Sequence, residues 1–207
     1  MNKIPLTQDV IFEFSCEPNM CEEYLEKVKN SNINFTSSVD IDSIPSTTIG
    51  YPIPQDDRLF SWFQECIDEV SMYRFGIKNQ TICDAWVTKT TFTEQSAEHL
   101  HSHSILSGLL YLSESKTETI FYPQDFFYIT HSRPKIFLSK NNSVPVKFIP
   151  KVGTLLIFPS YLRHKIALHK EKTTRYTLAF NTFFDRNISE TKTYRLSINV
   201  NKNYFGD

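Results

Sequence analysis

The feature that most constrains the fold is a series of short β-prone runs from about Thr81 to Phe184. Each run is rich in β-branched and aromatic residues and is followed by turn residues. Short strands at this spacing are typical of sandwiches and barrels, because each strand buries one face and then turns to its neighbour. The pattern predicts a two-sheet barrel or jelly roll over residues 81–207. The runs are CDAWVTKTTF, EHLHSHS, SGLLYLS, ETIFYP, PKIFLS, VKFIP, GTLLIFPS, HKIALH and RYTLAFNTFF.

The first 80 residues have a different pattern of apolar and polar residues. PNMCEEYLEKVKN and DDRLFSWFQECIDEVSMYRF place apolar residues at helical spacing, and Asn19 is a candidate N-cap of the first helix. The Ser-, Thr- and Pro-rich stretch between them indicates an irregular connector. We therefore expect a helical leader over residues 1–80 that packs on the barrel. The predicted class is mainly β with N-terminal helices (α+β), in one compact domain with helices covering one face of the core.

Length and charge exclude several classes of function. A chain of 207 residues suits one domain, and a net charge of −1 argues against a broad nucleic-acid surface or binding to an acidic membrane. No long apolar run predicts a membrane span or a signal peptide. The four cysteines form no CxxC pair, which favours reduced thiols. We expect a cytoplasmic protein, or one in the host cytoplasm if the chain is phage-encoded.

Three of the six histidines lie at alternating positions in EHLHSHS: His99, His101 and His103. In a strand, alternate side chains share a face and lie about 6–7 Å apart. Two imidazoles at i and i+2 therefore converge on one metal ion. The alternative is a polar edge strand with its histidines in water. Both pairs, 99/101 and 101/103, would serve as ligands, and His101 belongs to either.

GTLLIFPSYLRH supplies a distant single ligand, His164. Its β-prone run is turned by Pro159, and His164 opens the next run. This layout presents His164 at the same end of the barrel as the histidine cluster. Alone it would be an ordinary surface or cap residue, whereas with the cluster it becomes the expected third ligand.

In RYTLAFN, Arg175 and Thr177 share one face of a strand. An inward-pointing arginine in an apolar strand is costly unless it meets an anion. Its planar fork suits a carboxylate, and the Thr177 hydroxyl adds a further hydrogen bond. The alternatives are a salt bridge to a protein carboxylate and a carboxylate clamp for a bound oxo-acid.

These residues together resemble the 2-oxoglutarate- and Fe(II)-dependent dioxygenases. More narrowly, the order HxH, SGLLYLS, GTLLIFPSYLRH and RYTLAFN is similar to a bacterial and phage oxygenase family with the pattern HxHPxSxxSGxxYL…G…LFPSxxxH…RxSxxFN. The similarity extends roughly from Cys83 to Phe184, and Trp86 resembles a tryptophan that precedes the HxH in that family. It implies a double-stranded β-helix core.

Carried onto this sequence, the resemblance implies that His99, His101 and His164 hold Fe(II), with His103 as the alternate ligand. One departure is that the superfamily uses two histidines and one carboxylate. Here no Asp or Glu follows a histidine of the cluster by two positions, and Glu98 has the wrong parity for the same strand face. Either the site is all-histidine, or a carboxylate arrives from elsewhere, such as Asp125.

The resemblance also implies a co-substrate site. Arg175 and Thr177 match the pair expected to hold the far carboxylate of 2-oxoglutarate, and Tyr111 on the SGxxY strand either supports it or packs in the core. Dioxygen is the oxidant, and succinate and CO2 are the products. Phe126, Phe127 and Tyr128 belong to a stretch that suits a lid over the barrel mouth.

Two other functions are compatible with the residues. One is a cupin-type three-histidine metalloenzyme that needs no 2-oxoglutarate, and the other is a barrel-shaped binding protein without catalysis. The expected partner is a peptide, with prolyl hydroxylation as the leading class, or a small molecule. Because the loop residues Arg133, Lys135 and Lys140 are basic, a nucleobase remains a further candidate substrate. The C-terminal TKTYRLSINVNKNYFGD suits an extra strand or the arm of a homodimer.

Overall fold

The computed structural model describes residues 1–6, 9–31, 33–36, 44–48, 58–123, 145–149, 151–187 and 197–198. The expected lid, Asp125, the three basic loop residues, the run PKIFLS and most of the C-terminal segment lie outside these ranges. The described ranges contain two helices, α1 (Pro18–Asn30) and α2 (Arg58–Phe75). The strands are β1 (Asn2–Leu6), β2 (Asp9–Ser15), β3 (Phe35–Thr36), β4 (Ser46–Thr48), β5 (Gln80–Thr90), β6 (Leu106–Tyr111), β7 (Thr119–Tyr122), β8 (Val146–Phe148), β9 (Thr154–Pro159), β10 (Arg163–Ile166), β11 (Arg175–Phe184), β12 (Arg186–Asn187) and β13 (Ser197–Ile198).

Two sheets form the body of the protein. The larger has eight strands in the order β1-β2-β9-β6-β11-β5-β4-β3, and the smaller has the order β10-β7-β8. All pairings within them are antiparallel. A small cluster that includes Phe121, Leu156 and Phe158 packs between the two sheets. The other face of the large sheet packs against the helices.

The helices bury the stripes that their sequences predict. In α1 the buried residues are Met20, Cys21, Tyr24 and Val28, which recur at helical spacing. The helix begins two residues earlier than an N-cap at Asn19 would allow: Glu17 is the N-cap and Pro18 occupies the first turn. Proline suits that position because its missing N–H would have no partner there. The prediction of Asn19 as N-cap is therefore wrong.

Strand β11 packs one of its faces in the hydrophobic core and lines a cavity with the other. Leu178 and Phe180 belong to the core under the helices, whereas Thr177 and Ala179 line a cavity on the opposite face. This alternation follows from the period of two residues in a strand. The same strand therefore anchors the fold and presents polar groups to the interior of the barrel.

A glycine lets β6 and β11 approach each other under the helices. Gly108 pairs with Phe180, whose ring lies over the glycine and also packs against Phe63 at a centroid distance of 4.9 Å. A Cβ at Gly108 would come within 2.0 Å of that ring. The glycine of the SGLLYLS run is thus required by packing rather than by chemistry.

Two parts of the structure differ from the sequence-based expectation. EHLHSHS is not a strand: His99 forms one isolated bridge with His164, and the chain then turns at Ser102 and His103, where φ is +61° at His103. The first 80 residues contain β1–β4 in addition to the helices. DVIFEFS has the alternation of a strand and pairs with β9, while β3 and β4 are too short and polar to be recognised without their neighbour β5. The division of the chain at residue 81 remains a prediction.

All four cysteines are free thiols. Among the described residues, neither helix combines the length and the apolar character needed to cross a membrane.

Candidate metal centre

Three histidines from two segments meet at one end of the barrel. His99 lies in the loop before β6 and His164 in β10. Their backbones exchange hydrogen bonds of 3.0 and 2.9 Å. The N–H of His101 donates to the Ser160 carbonyl oxygen at 2.9 Å. One ligand nitrogen from each ring lies within 4.8 Å of the other two. This geometry brings together the three residues expected to bind a metal.

The hydrogen bonds of the rings determine which nitrogen is available. His99 Nδ1 donates to the Ala97 carbonyl oxygen at 2.9 Å, and His164 Nδ1 donates to the Leu162 carbonyl oxygen at 2.9 Å. His101 Nδ1 lies 2.6 Å from the side-chain oxygen of Asn181. Backbone carbonyl oxygens only accept, so Nδ1 of His99 and of His164 carries the proton and Nε2 of both rings has a free lone pair. Histidine ligands in metalloproteins are held in the same way.

Burial keeps two of the rings neutral. Desolvation lowers the pKa of His101 to about 4, opposed in part by its hydrogen bond to Asn181. Desolvation, together with the neighbouring His99, lowers the pKa of His164 to about 3. Both imidazoles are therefore unprotonated near neutral pH, which is the form that binds a metal.

The remaining candidates for this centre lie elsewhere. His103 sits in the turn after His101 and is not part of the cluster. The Glu98 carboxylate forms an ion pair of 2.7 Å with Arg163. No Asp or Glu in the described ranges joins the three histidines, and Asp125 lies outside those ranges. The described ligand set is thus three neutral imidazoles.

A cavity of about 300 Å³ opens beside the three rings. Its wall continues from the histidines along the inner face of the large sheet to Thr119 on β7 and Thr177 on β11. No Asp, Glu, Lys or Arg is among its described lining residues. The wall between the histidines and the two threonines is formed mainly by Trp86, Thr88, Leu109, Phe158, Ile166 and Ala179.

Arg175 is fully buried behind the threonine end of the cavity. Its Nη2 donates to Thr119 Oγ1 at 3.1 Å, and its guanidinium carbon lies 5.4 Å from the centre of the Tyr111 ring. Nε and Nη1 have no hydrogen-bond partner among the described residues. Burial lowers the pKa of Arg175, and Glu171 attracts it only through space. The expected alternative of a salt bridge is not seen among the described ion pairs.

Further polar groups surround the guanidinium. The buried hydroxyl of Thr177 has no hydrogen-bond partner among the described residues. Tyr111 donates to Thr119 Oγ1 at 2.8 Å, and burial raises the pKa of this tyrosine to about 12. Thr119 was not predicted from the sequence, because an isolated threonine in ETIFYP has no distinguishing pattern. It links the arginine to the cavity wall.

The separation of the two ends suits a short dicarboxylate. In the register of β7 and β10, Thr119 pairs with Ile166, two residues beyond His164. Two residues of a strand span about 7 Å. A molecule that binds a metal at the histidines and extends this far along the cavity ends beside Thr119, which accepts a hydrogen bond from Arg175 Nη2. The described donors fit a divalent transition metal and a 2-oxo acid with a distal carboxylate.

The sequence and the fold both resemble known oxygenases. The sequence pattern of the family described as "Putative 2OG-Fe(II) oxygenase" matches residues 84–181. No curated protein sequence matches the chain. Among solved structures, a prolyl-4-hydroxylase from Pseudomonas putida superposes with a TM-score of 0.61 at 12% identity, over 87% of this chain and 95% of the other.

Two further structures share the fold but differ in their described roles. The non-heme alpha-ketoglutarate-dependent epimerase SnoN from nogalamycin biosynthesis has a TM-score of 0.62 at 9% identity, over 86% of this chain and 80% of the other. HygX from Streptomyces hygroscopicus, solved with nickel, 2-oxoglutarate and hygromycin B, has a TM-score of 0.56 at 12% identity, over 97% and 96%. These similarities confirm the predicted jelly-roll class.

Single substitutions test the ligand assignment. We expect His101→Ala and His164→Ala to abolish binding of Fe(II) under anaerobic conditions, measured by calorimetry, because each removes one of three converging lone pairs. His99→Ala should do the same. His103→Ala is the matched control and should bind as the wild type does. Loss of binding in His103→Ala with a silent His99→Ala would instead place the ligands at 101 and 103.

Substitution of the buried arginine tests its role through the sign of the stability change. Arg175→Met removes an unpaired buried charge, so the variant should unfold at the same or a higher temperature than the wild type without ligand. With Ni(II) as a redox-inert metal, 2-oxoglutarate should raise the melting temperature of the wild type but not of the variant. Tyr176→Phe, on the other face of β11, is the control. A large destabilisation by Arg175→Met alone would indicate a structural ion pair instead.

Proposed function

Since residues 84–181 match the family described as putative 2OG-Fe(II) oxygenases, we propose that this chain is a member of that family and hydroxylates a peptidyl or small-molecule substrate. Iron(II), 2-oxoglutarate and dioxygen are the metal, co-substrate and oxidant of such an enzyme. The balanced reaction converts a C–H bond, 2-oxoglutarate and O2 into C–OH, succinate and CO2. The family match supports an oxidoreductase, and hydroxylation is the specific reaction that we propose.

The observation that carries this proposal is one cavity with two complementary ends. Neutral imidazoles of His99, His101 and His164 surround one end. The buried guanidinium of Arg175, whose Nε and Nη1 have no partner among the described residues, lies behind the other. Leaving charged donors unpaired is costly, so their retention is best explained by a ligand that supplies an anionic oxygen there.

Each residue has a defined task in the proposed enzyme. The three histidines bind Fe(II) through Nε2. Arg175 binds the distal carboxylate of 2-oxoglutarate, and the Thr177 hydroxyl donates to the same group. Iron with bound 2-oxoglutarate supplies the oxidative decarboxylation that activates dioxygen. The protein orients the reactants relative to one another and keeps water from the apolar wall around Phe158.

The wall of the cavity supports a neutral reacting group. Trp86, Leu109 and Ile166 line it, and no charged side chain of the described residues does. The structural relatives include a prolyl-4-hydroxylase and a protein solved with hygromycin B. We propose a peptidyl substrate, with a prolyl ring as a suitable neutral group, and a small molecule as the second class.

One observation favours a second candidate function. The described ligand set has no carboxylate, which is also expected of a three-histidine metalloenzyme that uses no 2-oxoglutarate. That reading gives no role to the unpaired donors of Arg175 or to the Thr177 hydroxyl. A non-catalytic binding protein would likewise not need a buried, unpaired guanidinium at the cavity. We therefore favour the 2-oxoglutarate-dependent enzyme.

Turnover assays separate these functions. With Fe(II) and air, the wild type should form succinate from 2-oxoglutarate, and a proline-containing peptide library should show which sequences gain one oxygen atom by mass spectrometry. Arg175→Met should raise the KM for 2-oxoglutarate by about 30-fold or more, since loss of a buried charged contact costs about 2 kcal/mol or more. Tyr176→Phe should keep the wild-type KM.

The other outcomes identify the alternatives. Oxygen consumption that does not depend on 2-oxoglutarate would overturn the proposal in favour of a three-histidine oxygenase. Failure to consume oxygen or form succinate, with iron demonstrably bound and the library present, would contradict an oxygenase function and favour a binding protein.

A further inference from the structure

Three residues of the sequence motifs have no role in the site as described so far. They are Ser107 in SGLLYLS, Ser160 in GTLLIFPSYLRH and Asn181 in RYTLAFN. In the structure they meet beside the ring of His101. Ser107 and Ser160 are fully buried. Their convergence on one of the proposed ligands indicates a common task.

The contacts form a short chain of hydrogen bonds. His101 Nδ1 lies 2.6 Å from Asn181 Oδ1 and 2.9 Å from Ser107 Oγ. Ser107 Oγ lies 2.8 Å from Asn181 Oδ1 and 2.9 Å from Ser160 Oγ. In one assignment of protons that satisfies all four contacts, Ser160 donates to Ser107, Ser107 donates to Asn181 Oδ1, and His101 Nδ1–H is shared between Asn181 Oδ1 and Ser107 Oγ.

The fold places each member of this chain. Asn181 stands at the register shift of β11, where it pairs with both Asp84 and Ser107. Ser107 in turn pairs with Phe158 on β9. Ser160 follows Pro159, and its backbone bonds to Ile105 and His101. Three neighbouring strands thus converge on the ring of His101.

His101 differs from the other two histidines in what holds it. The Nδ1 atoms of His99 and His164 face backbone carbonyls, which can only accept. The partner of His101 is a side-chain amide, which offers an oxygen in one orientation and N–H donors in the other. With the donors turned to Nδ1, the proton of a neutral His101 would reside on Nε2, and the lone pair for a metal would be lost. The orientation of the Asn181 amide therefore determines the tautomer of His101, whereas the backbone carbonyls at His99 and His164 leave no such choice.

We propose that Asn181, oriented by Ser107 and Ser160, is a positioning residue that fixes the Nδ1–H tautomer of His101. When Ser160 donates to Ser107, the Ser107 hydroxyl donates to Asn181 Oδ1 at 2.8 Å, and this bond keeps the amide oxygen turned toward His101 Nδ1. The consequence for metal binding rests on the proposed function. The tautomer itself is a property of the metal-free protein and is independent of it.

Nitrogen-15 NMR of histidine-labelled, metal-free protein at neutral pH measures the tautomers directly. In the wild type all three rings should be protonated on Nδ1. Asn181→Leu should shift His101 toward the Nε2–H form, whereas Asn181→Asp, which can only accept, should keep Nδ1 protonated. His99 and His164 serve as internal controls and should not change. An Nε2–H tautomer of His101 in the wild type would overturn the proposal even if Asn181→Leu does not fold.

Anaerobic titration with Fe(II) measures the consequence for binding. Asn181→Leu should bind Fe(II) about 10–100-fold more weakly than the wild type, as is typical when a partner of a ligating histidine is removed. Asn181→Asp should restore binding to the wild-type range or tighter. A folded Asn181→Leu with unchanged tautomer and unchanged affinity would refute the positioning role. Absence of Fe(II) binding in the wild type would contradict the proposed function alone, because the tautomer result would still stand.

Discussion

The period of two residues in β11 is the constraint on which the site depends. On one face Leu178 and Phe180 are fully buried under the helices, and each contributes roughly 1.5–3 kcal/mol by burial. On the other face, Arg175, Thr177 and Asn181 occupy fixed positions along the strand. Burial of a charged guanidinium costs several kcal/mol of folding free energy. Burial of the apolar face of β11 offsets this cost.

Charge supports the roles proposed for the two ends of the cavity. Three neutral imidazoles leave the full charge of a divalent metal uncompensated by the described residues, and Arg175 adds a second buried cation that has no ion-pair partner among those residues. A dicarboxylate meets both demands at once, with one carboxylate at each end. Because water is displaced from such a cavity, these interactions are stronger than they would be at the surface.

Most of the architecture and the members of the site could be predicted from the sequence because they carry local signals. Runs of β-branched and aromatic residues between turns mark β5, β9 and β11, and helical spacing marks α1 and α2. The chemistry of His101, His164 and Arg175 is unusual enough to single them out. The assignment of these residues to metal and co-substrate remains a proposal, although the structure places them around one cavity.

What the sequence could not reveal depends on contacts between distant segments. EHLHSHS looks like a strand, yet only His99 finds a strand partner, in His164, before the chain turns. Thr119 owes its place to the pairing of β7 with β10. The role of Asn181 appears only when a bulge in β11 brings it to a ring 80 residues away in sequence.

The central claim is that metal and 2-oxoglutarate occupy the two ends of one cavity together. Anaerobic titration of the Fe(II)-loaded protein with 2-oxoglutarate tests it most directly, because a chelate of the two gives a weak visible charge-transfer band. The account predicts a saturable band that requires much higher 2-oxoglutarate in Arg175→Met than in the wild type. With iron demonstrably bound, absence of the band, or a band of equal affinity in the variant, would contradict it.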